Sequence, residues 1–243
     1  MPDKEAFNQH ISQQFNAELE EIRTQLLEMG GLVEKQINDA IVALIEGDAK
    51  LAEQVREKDD AINQMELDID QECMRILARR QPAASDLRLV ISITKIIVDL
   101  ERIGDEASKI ARRAIDLVET GQAPKGYVEC RHIGHHVRRM VQESLDAFAR
   151  MDTDQAFSVA REDKSVDQEY KSAMREMITF MMEDPRSITR VLNILWVLRS
   201  LERVGDHARN VAEHVIYLVK GTDVRHIGLK RMEAEIRKEG KAE

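Results

Sequence analysis

Apolar residues recur along the first fifty positions at steps of three and four: Phe15, Leu19, Ile22, Leu26, Met29, Val33, Ile37, Ile41 and Leu44. That spacing is one stripe of a long amphipathic helix, close to a coiled-coil seam. Gly47-Asp48 interrupts it, and Asp48 is suited to cap the helix that follows. A second stripe holds Leu51, Val55, Ile62, Met65, Ile69, Ile76 and Leu77 and stops at Arg79-Arg80-Gln81-Pro82, because the residue before a proline is pushed out of the helical region. Ser85 or Asp86 then caps a third helix, from Leu87 through Ile91, Ile97, Ile103 and Ile110 to Leu117 and about Thr120, where Gly121 ends it.

After a Gly- and Pro-containing linker at 121–126 the pattern starts again. It predicts a fourth helix from about Val128 to Arg150, a fifth from Asp152 to Met182 and a sixth from Ser187 to Lys220. The remainder, 221–243, is polar and reads as a frayed or disordered end. The halves are related: an offset of 104 places Asp48 on Asp152, Val55 on Val159 and Asp59 on Asp163. For the third helices the offset is 101 and aligns LERIGDEA, starting at Leu100, with LERVGDHA, starting at Leu201. The expected fold is all-α: six long helices forming two similar three-helix bundles by internal duplication, at 1–120 and 127–220, with a polar tail at 221–243.

Composition agrees with helices. Of the 243 residues, 33% are charged, 4% are aromatic and only four are proline. The net charge of −9 argues against nucleic acid and anionic lipid as broad partners. Basic pairs at Arg79-Arg80, Arg112-Arg113 and Arg138-Arg139 read as solvated helix faces or ends. The opening MPDKEAFNQH lacks the basic and apolar regions of a signal peptide, and the most apolar stretch, Val191 to Leu198, is too short to span a membrane. A soluble protein is expected.

The candidate chemistry lies in the repeated motif. Glu101 and Asp105 are four residues apart, as are Glu202 and Asp206, so each pair shares a helix face, one turn apart. Such like charges repel by roughly 0.2–0.5 kcal/mol. The intervening glycines, Gly104 and Gly205, each cost about 1 kcal/mol in a helix interior. Glycine admits a neighbouring helix or an ion close to the backbone. Acids on one helix facing acids on another make an oxygen-rich cation site. Asp163 and Asp167 continue the pattern, whereas Asp59 is followed by Asn63. Asn63 offers a carbonyl oxygen without charge, so the first half is expected to hold metal less tightly. The competing reading is structural: Arg102 and Arg203, inside the motifs, neutralise nearby acids.

Other residues suggest packing. Cys73 and Cys130 have no zinc-finger spacing, and Cys73 reads as a small core hydrophobe. His132 and His136, with His135 beside them, have a ligand-like spacing but read as exposed or satisfied within the fold. Trp196 reads as core or a helix–helix contact. P-loop, GxGxxG, nucleophile-elbow and HExxH motifs are absent.

Both LER[IV]GD motifs, together with HISQQFNAELEEIRTQ, RRQPAASDLRLV, DAFARMD and REDKSVDQEY, resemble the PhoU family of accessory regulators of phosphate-specific transport. The resemblance covers almost the whole chain. It implies two similar three-helix bundles, frequent homodimers, and negative regulation of the phosphate starvation response. It also implies an adaptor, cytoplasmic and peripheral to a membrane complex, that links the transporter's ATPase subunit to a sensor histidine kinase. Family members hold iron, zinc or other ions at E(D)xxxD acids, which implies divalent metal or iron at Glu101, Asp105, Glu202, Asp206, Asp163 and Asp167, and no organic cofactor. Asp59 with Asn63 departs from that pattern. The rival function is a metal-dependent hydrolase or oxidase. Against it, no Glu-x-x-His pair accompanies the motif. A purely structural helical assembly is the third reading.

Overall fold

A computed structural model describes residues 4–119 and 127–237, with side chains from 13 and from 128 onward; the expected linker at 121–126 lies outside the described residues. Every element is helical: α1 (Lys4–Glu46), α2 (Ala49–Glu57), α3 (Asp59–Arg80), α4 (Ala84–Glu119), α5 (Tyr127–Arg150), α6 (Thr153–Glu183), a 3₁₀ turn (Pro185–Ser187), α7 (Ile188–Lys220) and α8 (Leu229–Arg237). Helices α1, α2/α3 and α4 form one bundle, and α5, α6 and α7 form the other. They meet along α4 against α7 and α1 against α5.

The duplication is visible in the caps. Asp48 Oδ1 accepts from the backbone N–H of Leu51 at 2.9 Å, and Asp152 Oδ1 accepts from those of Asp154 and Gln155 at 2.9 and 3.0 Å. Each satisfies N–H groups that a helix start leaves without partners. The predicted stripe of α1 is the core: Ile22, Leu26, Met29, Val33, Ile37 and Leu44 are all buried. Ile93, Ile97, Leu100, Ile103 and Ile110 of α4 and Val204, Ala208, Val211 and Val215 of α7 are buried at the centre.

The α1–α5 contact obeys the same internal symmetry. A Cβ on Gly30 would lie 2.7 Å from both Leu145 Cδ atoms, and one on Gly134 would lie 2.8 Å from Ile41 Cδ1. The offset of 104 turns Gly30 into Gly134 and Ile41 into Leu145, so the two contacts are copies of each other. Glu34 and Arg138, also 104 apart, face each other across this axis at 3.8 Å.

The structure departs from the sequence reading in several places. The second helix is split at Lys58. The carbonyl of Val55 accepts from Gln36 Nε2 at 3.3 Å, and Lys58 O accepts from the N–H of Ala61 at 3.2 Å in a tighter turn. The matching position in the second bundle is Met140, which has no amide, and α6 runs unbroken. The third helix starts at Ala84, ahead of the expected caps. Trp196 is not core but 59% exposed. The tail contains a helix: α8 packs on α6 and α7, with Val224, Met232 and Ile236 buried. Several of the basic residues are not simply solvated. Arg80 grips Glu18 of α1 with two N–H groups, at 2.6 and 2.9 Å, and Arg138 reaches Glu34.

Candidate functional site

The repeated acids are presented once in each bundle, where the LER[IV]GD helix packs against the helix before it. In the second bundle, Glu202 and Asp206 of α7 face Asp163 and Asp167 of α6. Burial and then the Asp206 charge raise Glu202 above the usual carboxylate range, with Asp167 and Asp163 adding to it. Loss of hydration at the cleft wall and then Asp163 and Asp167 raise Asp206 in the same way. These four acids therefore share one electrostatic neighbourhood.

Basic side chains take up part of that charge. Arg199 Nη1 donates to Glu202 Oε1 at 2.7 Å, whereas Glu202 Oε2 is buried without a hydrogen-bond partner. Arg209 Nη1 donates to Asp163 Oδ2 at 3.0 Å and its Nε to Glu213 Oε1 at 2.9 Å. Asp167 pairs with Lys171 at 3.5 Å.

The first bundle repeats the plan with different details. Glu101 and Asp105 of α4 adjoin Asp59 of α3. Burial and then Asp105 raise Glu101. Burial raises Asp59, partly offset by Gln36 and reinforced by Asp105. Gln36 Nε2 donates to Asp59 Oδ1 at 2.9 Å, and Gln36 Oε1 is buried without a partner. Arg102 reaches Glu101 at 3.3 Å and Asp105 at 3.6 Å, and Lys109 reaches Asp105 at 3.9 Å. Arg102 thus does what the structural reading proposed. Arg203 does so with an acid outside its own motif: its Nη1 crosses to Glu106 of α4 at 2.9 Å.

The motif glycines differ in the room around them. A Cβ on Gly205 would meet Val166 and Val137 at 3.4 and 3.5 Å, whereas one on Gly104 would meet Gln36 Oε1 at 3.1 Å. Gly205→Ala is therefore expected to stabilise the fold, by up to about 1 kcal/mol. Gly104→Ala should gain less, because Gln36 must yield. Thermal unfolding of the two variants checks the order; equal shifts would contradict it.

The all-oxygen donor set suits a hard divalent cation, and the orphaned oxygen of Glu202 is one that such an ion would satisfy. Among the described residues, however, no three His, Cys, Asp or Glu side chains converge closely enough to cage an ion as they stand. In the second bundle Glu202 is paired with Arg199 and Asp163 with Arg209. Glu202, Asp206, Asp163 and Asp167 would hold an ion there, and Glu101, Asp105 and Asp59 in the first bundle. The ion would supply neutralising charge.

Sequence reasoning missed several participants. Gln36 lies in a different helix from the acids it serves. The cross-bundle cluster is built on Asp99, whose Oδ1 lies 2.8 Å from His207 Nδ1 and 3.0 Å from Asn210 Nδ2, and whose Oδ2 lies 3.5 Å from His214 Nε2. One signal was available: at the 101 offset Asp99 becomes Ser200 and His207 becomes Glu106, so the cluster lies where the two repeats differ. His132 and His136 pair with carboxylates of α6. His136 contacts Glu169 at 3.1 Å and Glu162 at 3.3 Å, and His132 contacts Glu169 at 3.7 Å. Cys73 and Cys130 are buried and free, and burial pushes the Cys73 thiol up to about 11, which suits packing.

An open polar cleft of about 490 Å³ lies over this seam, lined by Arg203, Asp206, His207, Arg209, Glu213 and Arg225 among others. Arg225 is held there by Asp223, which accepts from its Nη2 at 2.6 Å, in the loop anchored by buried Val224.

Comparison with known proteins assigns the chain. The family model described as the PhoU domain matches twice, at residues 26–114 and 130–215. The phosphate-specific transport system accessory protein PhoU homolog of Pseudomonas aeruginosa is 71% identical over 97% of this chain and 98% of its own length. The corresponding accessory protein of Escherichia coli K12 is 52% identical over 91% of each chain. Among solved structures, PhoU from Pseudomonas aeruginosa superposes with a TM-score of 0.84 at 72% identity, covering 86% of this chain and all of that one. The phosphate transport system regulatory protein PhoU from Streptococcus pneumoniae gives 0.80 at 34% identity, over 86% and 99% of the two chains. These relatives are named accessory and regulatory proteins rather than enzymes, in keeping with the non-catalytic reading of the sequence. With both repeats matched and identity sustained over nearly the full length, the chain belongs to the PhoU family.

Proposed function

We propose that the protein is a regulatory adaptor of phosphate transport. It links the transporter's ATPase subunit to a sensor histidine kinase and represses the starvation response when phosphate is plentiful. The observation that carries this reading is the near-complete match to relatives named accessory proteins of phosphate-specific transport. The surface supports it. Ile188, Leu192 and Trp196 are exposed along α7 at four-residue steps, and Ile178 and Met182 are exposed near the end of α6. Exposed apolar stripes of this kind mark protein contacts. Among the described residues no helix is long and apolar enough to cross a membrane. With a net charge of −9, the protein would reach the membrane through its protein partners, as a peripheral cytoplasmic component. Two similar bundles offer two surfaces, and a homodimer would double them, so weak contacts add by avidity. The acids of each bundle would bind divalent metal or iron as a structural or regulatory ion.

Deleting the gene is expected to switch starvation genes on despite abundant phosphate. Trp196→Glu, at an exposed position, should keep full helicity by circular dichroism but lose one partner in pull-downs. Full repression in the deletion strain, or capture of neither partner at high or low phosphate, would overturn the adaptor reading.

A further inference from the structure

We infer that Arg209 is a built-in cation that competes with a divalent metal ion for Asp163, so that metal binding in the second bundle requires this arginine to move. The inference rests on the reading that the repeated acids hold such an ion. Its basis is the difference between two copies of one site.

Asp163 is 6% exposed, and its Oδ2 is bound by Arg209 Nη1 at 3.0 Å. The same guanidinium is fixed from behind by Glu213, at 2.9 Å from Nε. A planar fork anchored by two carboxylates is pre-organised, and charge-assisted hydrogen bonds of this length are strong ones. In the first bundle the position equivalent to Arg209 is Ser108, and Asp163 corresponds to Asp59. Asp59 receives a neutral amide from Gln36 at 2.9 Å instead. Among the described residues the cations paired with its neighbours Glu101 and Asp105 are Arg102 and Lys109, half-exposed side chains at 3.3 to 3.9 Å. Thus the second site has Asp167 in place of Asn63, where the first has Glu66 beside Glu101, and it holds two close cations, Arg199 on Glu202 and Arg209 on Asp163. Of these, Arg209 is the one that occupies the buried Asp163.

Arg209 also has somewhere to go. It lines the 490 Å³ cleft together with Asp206, Arg203 and Arg225, so the guanidinium has open space to swing into when an ion displaces it from Asp163. That movement leaves Glu213 without its partner and adds a mobile charge to the cleft at the seam between bundles. Metal occupancy in α6–α7 is thereby coupled to the surface where Arg203 crosses to Glu106. A site available only part of the time binds with an affinity reduced by that fraction, and removing the competitor restores it.

The test is Mn²⁺ binding to the full chain by isothermal titration, with Glu202→Ala/Asp206→Ala identifying the second-bundle site. Arg209→Gln is expected to tighten that site about tenfold or more, the scale of removing a charge-assisted competitor. A folded Arg209→Gln protein with unchanged or weaker affinity overturns the inference. If Arg209→Gln fails to fold by circular dichroism, the reciprocal experiment decides. In the Glu202→Ala/Asp206→Ala background, Ser108→Arg should weaken the first-bundle site by a similar factor, whereas the neutral Ser108→Gln should not. Equal affinities for those two variants also overturn it. Should neither the parent protein nor Arg209→Gln bind Mn²⁺, the metal reading itself falls with it. Failure of the inference alone shows as Mn²⁺ binding to the parent that the Arg209 change does not move.

Discussion

Gly134→Leu is expected to destabilise the protein by roughly 3 kcal/mol, the upper end of the cost of overpacking a core. A Cβ at this position would already sit 2.8 Å from Ile41 Cδ1 and 3.1 Å from its Cγ1. Ile41 is β-branched, buried and restricted at χ1, so it has little freedom to yield. The leucine would gain about 1 kcal/mol of helix propensity over glycine, which the overlap outweighs. The loss should concentrate where α1 meets α5, because Gly134 belongs to that contact and to no acid site. Ile41→Ala in the same chain makes room and should recover part of the loss. Urea denaturation of the two single variants and the double variant gives the coupling directly. A favourable coupling above about 1 kcal/mol is expected for side chains in direct contact; strict additivity would mean that Gly134 and Ile41 do not meet. The symmetric pair Gly30 and Leu145 should behave alike.

The fold was legible in the sequence wherever one physical rule decided the outcome. The α1 stripe is helical and buried because its spacing leaves no other face apolar, and Asp48 and Asp152 cap because short acidic side chains reach their own N–H groups. The places where the reading failed depend on contacts between elements. Nothing local at Lys58 breaks the second helix; Gln36, nineteen residues before Val55, takes the carbonyl the helix needs. Trp196 is apolar within an apolar run, yet α7 buries its other faces against α4, α5 and α6 and leaves that one outside. The tail looked too polar to fold, but Met232 and Ile236, one turn apart, bury together. At the acids, spacing found which carboxylates share a helix face. It could not find which cation each meets, because Arg102 stays within its own helix while the equivalent Arg203 crosses to the other bundle.

Asp99→Ala is expected to cost roughly 1–3 kcal/mol, the range for leaving buried hydrogen-bonding groups without their partner. Asp99 is 8% exposed and accepts from His207 and Asn210 of the other bundle, with His214 at 3.5 Å. Burial pushes its carboxyl upward, but the hydrogen bonds from His207, His214 and Asn210 outweigh this and hold it below the usual range. Its folded-state pKa is depressed, so its stabilisation is fully present above the unfolded value of about 3.9 and is lost as pH falls through the folded value. Glu101, Glu202, Asp59 and Asp206 act in the opposite sense. Their folded-state values are raised, so they oppose folding when ionised, and the protein gains stability as pH falls from neutral toward the unfolded carboxylate range. Without metal, stability should therefore rise on mild acidification and fall again in strong acid. Asp99→Ala should lower the whole curve while keeping the rise, and should weaken the acid-side fall. Denaturant midpoints between pH 7 and pH 3 measure both limbs. Because Asp99 becomes Ser200 in the second repeat, the symmetric change Ser200→Ala should leave the curve nearly unmoved. If the two substitutions cost the same, Asp99 is not what joins α4 to α7.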